Sequence, residues 1–296
     1  MLWIAASQVV LLLIVAGVFL AIVGQGARPP FLTRASAARP VAVDDGSTHL
    51  AGSGSNLPLT RALVQAHHLA HPEDPLVVHQ SIGSTGGIRA ASDGAVHLGL
   101  ISRPLTAEER RLGLTVIPYA RVAVVVAAHK SVPQRGLSRA ALLAIYDGRQ
   151  TRWDDGSRVT VLQRERGDSS HRAVERILPR FAPINEQAYR EGRWRVIYHD
   201  HEMQEALLST PGAVGLFDLG AVVSQDLPLK ILELEGTSPT KTNVTTGRYP
   251  LRKDLAFVFR RAPRGPAARL LDFVFSAEGQ ALIRAKGYIP LARRSR

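Results

Sequence analysis

Three segments of the chain place glycine and hydroxyl side chains between a predicted strand and a predicted helix. Glycine lets the backbone approach a ligand closely, and serine and threonine supply neutral hydrogen-bond donors. The first N–H groups of a helix lack intrahelical partners and lie at the positive end of the helix dipole, which favours an anion. The pattern therefore predicts oxyanion binding through many hydrogen bonds. The segments are His49-Leu-Ala-Gly-Ser-Gly-Ser-Asn56, Leu76-Val-Val-His-Gln-Ser-Ile-Gly-Ser-Thr-Gly-Gly87 and Val159-Thr-Val-Leu-Gln-Arg-Glu-Arg-Gly-Asp-Ser-Ser170.

Two arginines can supply the formal charge of such a site. Arg164 lies inside the third segment, and Arg103 follows an apolar run that predicts a strand. A guanidinium binds an oxyanion with two parallel N–H bonds, and from one side of a cleft it helps to draw the other side closed. We therefore expect Arg164 to be the main charged contact.

The elements around the three segments predict an α/β fold of two lobes. Short apolar runs alternate with helical patterns from residue 48 onward. Two apolar strands, residues 121–128 and 255–259, predict two crossings between the lobes. The segments can then face each other across a cleft, where ligands preferentially bind. A late helix, expected at residues 267–286, would pack on the first lobe.

The N-terminal region is predicted to be a membrane segment followed by a spacer. No charged side chain occurs in residues 1–24, and a helix needs about 20 apolar residues to cross the hydrocarbon core. This segment is a signal peptide or a transmembrane anchor, and we favour an uncleaved anchor because the apolar run is long for a signal peptide. The predicted boundaries are 1–25 for the membrane segment, 26–47 for a proline-rich linker and 48–296 for the domain, with lobe 1 at 48–122 plus 255–296 and lobe 2 at 123–254.

The composition argues against several functional classes. The net charge of +12 favours anionic partners, but only 6% of residues are aromatic and none of them alternate with basic residues, so nucleic acid is not expected. The absence of cysteine excludes thiol catalysis and cysteine-based zinc sites. The runs His67-His-Leu-Ala-His71 and His199-Asp-His201 lack a matching carboxylate set for a metal, and no catalytic motif is complete. We predict no enzyme activity, no metal and no cofactor.

Further motifs make the sequence similar to a known family. Their order and spacing extend over most of residues 50–292 and resemble the phosphate-binding protein of the bacterial high-affinity phosphate ABC transporter, in the periplasmic binding protein type 2 superfamily. The resemblance implies a monomeric clamshell that closes on inorganic phosphate and presents it to an ABC permease in the inner membrane. The motifs are Gly52-Ser-Gly-Ser-Asn56, Ile82-Gly-Ser-Thr-Gly-Gly87, Gly99-Leu-Ile-Ser-Arg-Pro104, Ile145-Tyr-Asp-Gly148, Trp153-Asp-Asp155, Arg164-Glu-Arg-Gly-Asp-Ser-Ser170, Pro211-Gly-Ala-Val-Gly215, Ser276-Ala-Glu-Gly279 and Gly287-Tyr-Ile-Pro290.

The resemblance also implies which residues bind the ligand. The three segments match the family's phosphate loops through Asn56 and the Leu57 amide, through Ser84, and through Arg164 with Ser169 and Ser170. The alternative function is a membrane-tethered oxyanion sensor or interaction module that takes no part in transport. The full set of expected anion-binding residues is Ser55, Asn56, Leu57, Ser84, Thr85, Arg103, Arg164, Asp168, Ser169 and Ser170.

The sequence departs from the family at two of these positions. Its best-known members have an aspartate at the position of Arg103 and a serine at the position of Asp168. A carboxylate that faces the ligand accepts a hydrogen bond from protonated phosphate and repels sulfate. We therefore expect one of two roles for Asp168: it replaces the missing carboxylate as the acceptor, or it caps the helix that begins at Ser169.

Overall fold

The computed structural model describes residues 45–293, which fold as two lobes of mixed α/β structure. The predicted membrane segment and most of the predicted linker, up to residue 44, lie outside the described residues. Within residues 45–293, no helix is both long and apolar enough to cross a membrane.

Strands and helices alternate along most of the described chain. The strands are β1 (Thr48–Gly52), β2 (Leu76–Val78), β3 (Leu98–Ile101), β4 (Thr115–Ala128), β5 (Gly136–Leu137), β6 (Thr160–Arg164), β7 (Arg195–Ile197), β8 (Ala213–Asp218), β9 (Lys230–Leu234), β10 (Arg252–Phe259) and β11 (Ile289–Pro290). The helices are α1 (Leu57–Ala70), α2 (Gly83–Asp93), α3 (Ala107–Arg110), α4 (Arg139–Tyr146), α5 (Ser169–Ile177), α6 (Phe181–Glu191), α7 (Asp200–Ser209), α8 (Leu219–Ser224), α9 (Lys241–Thr246), α10 (Pro266–Phe275) and α11 (Ala277–Ala285), and a 3-10 turn, Gly54–Asn56, precedes α1.

The long strands β4 and β10 carry the chain between the lobes. They pair antiparallel from Thr115 opposite Phe259 to Ala123 opposite Arg252. Beyond Ala123, β4 leaves β10 and pairs with β8 and β9 of the second lobe. In the first lobe β1 runs parallel to β2 and β3, and in the second β6 runs parallel to β7 and β8. The strand order is β2-β1-β3-β10-β4-β8-β6-β7.

Each lobe has its own hydrophobic core. One cluster of buried side chains runs from Ala123 to Leu251, with β4, β6 and β8 at its centre. A second cluster joins residues between Leu50 and Val122 to residues between Leu255 and Tyr288. Burial of these apolar side chains is the main favourable term in folding. The division of the cores supports the predicted lobe boundaries, which stay a prediction.

The helices differ from the sequence-based prediction at their ends. The predicted late helix is two helices, α10 and α11, separated by Ser276. Ser276 has an extended backbone with ψ of 166°, and its side chain accepts a hydrogen bond from the Gly279 amide as an N-cap. The apolar spacing continues across this break, so periodicity alone did not reveal it. The helix predicted near Ile88 begins earlier, at Gly83, which places Ser84 and Thr85 in its first turn.

A buried carboxylate joins α1 to α10. The Asp74 side chain is fully buried, lies 2.8 Å from Nε2 of His67 and accepts hydrogen bonds from Nε and Nη2 of Arg269. The Arg269 hydrogen bond, assisted by His67, holds the pKa of Asp74 well below its ordinary value in spite of its burial. His67 of the histidine run therefore has a partner within the fold.

We expect Asp74→Asn to lower the melting temperature at neutral pH and to lower it less in acid. Because the pKa of Asp74 is depressed in the folded state, its stabilisation is present above the unfolded pKa of about 4 and is lost as pH falls through the folded value. Thermal unfolding of both proteins across this range, followed by circular dichroism, measures the effect. The exposed Asp93→Asn is the control, and a difference that does not change with pH would contradict the prediction.

Candidate functional site

A cavity of about 350 Å³ lies where the two lobes meet. Four loops form it, and each loop follows the carboxyl end of a strand: β1 and β2 in the first lobe and β6 and β7 in the second. Because each pair of strands is parallel, both pairs bring their loops to one edge, the usual place for ligand binding in α/β folds. The lining residues are Ser53, Gly54, Ser55, Ser81, Ile82, Gly83, Ser84, Thr85, Arg164, Glu165, Arg166, Gly167, Asp168, Ser169, Tyr198, His199 and Asp200.

The loop after β1 depends on a close approach of two strands. Gly52 has φ of 152°, and a methyl group on it would overlap the backbone of Leu100 on β3. Ser53 follows, and its amide donates to the Leu100 carbonyl at 2.9 Å. The Ser53 hydroxyl lies 2.7 Å from the Ser102 hydroxyl. Ser102 in turn donates its amide to Oγ of Ser84 at 3.2 Å. These contacts hold the first two predicted segments side by side.

Arg164 ends β6 and supplies the guanidinium of the cavity. Its side chain is 5% exposed. Nε and Nη2 donate to the Glu165 carboxylate at 3.0 and 3.3 Å, Nη1 donates to Oδ1 of Asp200 at 2.7 Å, and Nη2 also donates to the Tyr198 carbonyl. Burial alone would lower the pKa of Arg164, but these carboxylates and Asp168 raise it well above its usual value. The guanidinium is therefore charged and oriented before any ligand arrives.

Asp168 caps α5. Its Oδ1 accepts from the amides of Ser170 and His171 at 2.8 and 3.0 Å, and Oδ2 lies 3.6 Å from Nη2 of Arg164. Burial would raise the pKa of Asp168, but Arg164 and Lys253 outweigh it and lower the pKa to about 2. The observed hydrogen bonds are those of the capping role, and Oδ2 is the oxygen that remains for a ligand.

Asp200 begins α7 and reaches across the cleft to the first lobe. Its Oδ1 accepts from Arg164, and a methyl group on Gly54 would overlap its Oδ2. The carboxylate thus fills the space between the Arg164 guanidinium and the loop after β1. Sequence reasoning considered Asp200 only as part of a metal-binding run and missed this position.

Arg103 is not among the residues that line the cavity, and its expected contact with the ligand stays a prediction. Nη1 and Nη2 each donate to the Glu109 carboxylate at 2.7 Å, and Nη2 donates to Oγ1 of Thr85 at 2.9 Å. Glu109 therefore neutralises the positive charge of Arg103. The sequence did not reveal this pairing, because Glu109 also forms a capping box with Thr106. That pattern accounts for Glu109 as part of a helix start without any partner at Arg103.

Three other expected residues also lie outside the cavity. Asn56 is fully buried, and its Nδ2 donates to the Tyr119 hydroxyl at 3.2 Å. The Leu57 amide donates to the Gly54 carbonyl within the 3-10 turn. Ser170 is buried behind the cavity wall. The expected residues that do line it are Ser55, Ser84, Thr85, Arg164, Asp168 and Ser169.

Lys253 is a second residue that sequence reasoning missed. Its Nζ lies 2.8 Å from Oγ of Ser55 and 2.9 Å from Oγ of both Ser169 and Ser170. Lys253 belongs to β10, which begins at Arg252 and not at Leu255 as predicted. The run Arg252-Lys-Asp254 looks like a polar turn, but Lys253 continues the period-2 alternation of the buried Leu255. That alternation is the signal that could have identified it.

The chain matches a family model and several known proteins. The model described as "PBP superfamily domain" matches residues 37–278. The phosphate-binding protein PstS of Borreliella burgdorferi is 22% identical over 220 residues, 72% of this chain and 79% of the relative. PstS of Bacillus subtilis is 26% identical over 257 residues, 83% and 81% of the two chains.

Solved structures share this fold. A substrate-binding protein of Clostridium perfringens, solved with bound phosphate, superimposes with a TM-score of 0.74 at 22% identity over 83% of this chain and 99% of its own. An ABC-type phosphate transport receptor of Vibrio cholerae gives 0.61 at 23% identity over 82% and 99%. The fold is therefore that of the type 2 periplasmic binding proteins, and because the family model covers most of its length, the chain belongs to the PBP superfamily.

Proposed function

We propose that this chain is an extracytoplasmic solute-binding protein that captures inorganic phosphate, or a similar tetrahedral oxyanion, between its lobes. The observation that carries the proposal is a cavity between the lobes in which a charged guanidinium faces hydroxyl groups and three helix starts. The relatives and structural neighbours named above that bind phosphate support this ligand. The bound anion passes unchanged to an ABC permease, and the chain performs no covalent chemistry.

Binding of an oxyanion replaces a contact between two cavity residues. The Glu165 carboxylate holds the Nε side of Arg164, so the Nη1 side faces the cleft, where Asp200 now accepts. An oxyanion takes that position on Nη1 and meets the first-turn amides of α2 and the hydroxyls of Ser55, Ser84 and Ser169. Since these groups come from both lobes, the ligand stabilises the closed cleft.

The charges of the cavity favour a protonated oxyanion. Three carboxylates line it, and only two arginines do, so negative charges outnumber positive ones; the five residues are Glu165, Asp168, Asp200, Arg164 and Arg166. An ionised carboxylate accepts a hydrogen bond from protonated phosphate but repels sulfate, which has no proton to donate. Asp200 is better placed for this role than Asp168, because Oδ1 of Asp168 already caps α5.

We expect the wild-type chain, purified in mild detergent and freed of anions, to bind phosphate and to reject sulfate in calorimetric titrations. Asp200→Asn should reduce the ratio of phosphate to sulfate affinity by about tenfold or more, because sulfate no longer meets this negative charge. The exposed Asp154→Asn is the matched control. A wild-type chain that binds no phosphate overturns the proposed function, whereas an unchanged ratio in Asp200→Asn overturns only the role of Asp200.

The tether and localisation are parts of the same proposal. The apolar, uncharged residues 1–24 support an uncleaved helix that anchors the chain to the cytoplasmic membrane, with the binding domain on the outer side. Residues 26–47 would let the domain reach the permease. We also propose that the protein acts as a monomer. The chain would pass between the lobes near residues 122 and 255.

A further inference from the structure

A buried ion pair lies directly behind the cavity wall. The side chains of Lys253 on β10 and Asp218 at the end of β8 are 1% and 4% exposed, and Nζ lies 2.9 Å from Oδ1. Removing two charges from water is costly, and well-packed apolar residues are often at least as stabilising in such a place. Stability is therefore a weak explanation for this pair.

The Lys253 ammonium contacts hydroxyls from both lobes. Oγ of Ser55 comes from the loop after β1, and Oγ of Ser169 and Ser170 come from the start of α5. An ammonium has three hydrogens and no lone pair, so it only donates. Each serine oxygen therefore accepts in these contacts and must direct its own hydrogen elsewhere.

The direction of those hydrogens matters at the cavity. Ser169 lines the cavity, and Ser170 follows it on the first turn of α5. Ser55 lines the cavity as well, so two of the three hydroxyls that Lys253 contacts belong to residues of the cavity lining. Because these oxygens accept from Nζ, their own hydrogens are directed away from Lys253 and are available to an acceptor in the cavity.

We propose that Lys253 is a positioning residue of the anion site, whose ammonium fixes the Ser55 and Ser169 hydroxyls as donors to the bound oxyanion. It also places a positive charge one hydroxyl group behind the ligand, where screening by solvent is weak. Asp218 pairs with that charge from the side of β8. The inference rests on the proposed function, because it assigns a residue to the same binding site.

The test uses Asp218→Asn as the reference variant, since the amide keeps the shape of the carboxylate and removes its charge. With Lys253 still present, inorganic phosphate should bind to the full chain as tightly as to the wild type or more tightly. Adding Lys253→Met keeps the length of the side chain and removes the ammonium. Calorimetry should then show phosphate affinity reduced by about tenfold or more relative to Asp218→Asn.

A second background separates positioning from a structural role. When Ser55→Ala and Ser169→Ala are both present, no hydroxyl of the cavity lining remains for Lys253 to orient. The same Lys253→Met step should then reduce phosphate affinity by less than about threefold, which is the effect of losing the positive charge alone. An equal loss in both backgrounds, or no loss in the first, overturns the inference. If the Lys253→Met protein does not fold, Asp218→Asn still decides, because weaker phosphate binding by that variant contradicts the inference.

The two proposals fail in different ways. A wild-type chain that binds no phosphate overturns the proposed function and this inference with it. Phosphate binding by the wild type, together with no effect of Lys253→Met, overturns the inference alone.

Discussion

Replacement of Arg164 by alanine is expected to weaken phosphate binding by about 100-fold or more. A hydrogen bond to a charged group contributes about 1.5 to 3 kcal/mol, and the guanidinium offers the ligand a cleft-facing edge that Glu165 orients. The loss exceeds that of the contacts alone, because Asp168 and Asp200 keep their negative charges next to the ligand once Arg164 is gone. Calorimetric titration with phosphate measures it.

Two further variants make this result specific. Arg164→Lys keeps the charge but not the fork of N–H donors, so its affinity should fall between those of alanine and the wild type. Arg149→Ala removes an exposed arginine that pairs with Asp147 outside the cavity lining, and it should bind phosphate as the wild type does. Unchanged affinity in Arg164→Ala would refute the role of this residue.

Gly52→Ala should destabilise the fold by about 3 kcal/mol or more and also weaken phosphate binding. The added methyl group overlaps the backbone of Leu100, so β1 and β3 must separate, and overpacking of this kind against backbone has no flexible side chain to relieve it. The strained φ of 152° adds to the cost. The displaced residues include Ser53 and Ser55 of the cavity.

The matched control is Gly113→Ala. Gly113 has φ of 67° but open space around it, so alanine there costs only the backbone term of about 1 to 2 kcal/mol. Denaturant unfolding of both variants against the wild type measures the difference. Equal destabilisation by the two substitutions would show that the close approach of β1 to β3 at Gly52 adds nothing to the loss of stability.

Much of the fold could be predicted because it depends on local patterns. Apolar runs and helical spacing indicated an α/β fold, and the apolar run at residues 122–128 indicated the central strand β4. The break at Ser276 was missed because an N-cap changes the backbone without changing the spacing of apolar residues. The early start of β10 was missed because a lysine looks exposed until its partner is known.

The sequence alone was enough to predict an oxyanion site and to identify the family. Glycine and hydroxyl residues before helix starts imply an oxyanion site whatever the tertiary contacts, because unpaired first-turn amides are a property of every helix. The same reasoning selected Arg164, which does line the cavity. The motifs at matching order and spacing identified the superfamily that the family model shows.

The arrangement of charges around the cavity, by contrast, depends on tertiary contacts. Arg103 is neutralised by Glu109, Asp200 reaches the cleft from the start of α7, and Lys253 meets Ser55 at a sequence separation of 198 residues. The physical reason is that a charge acts on what lies within a few ångströms of it in space, and strand pairing and lobe closure bring together residues that no local pattern relates.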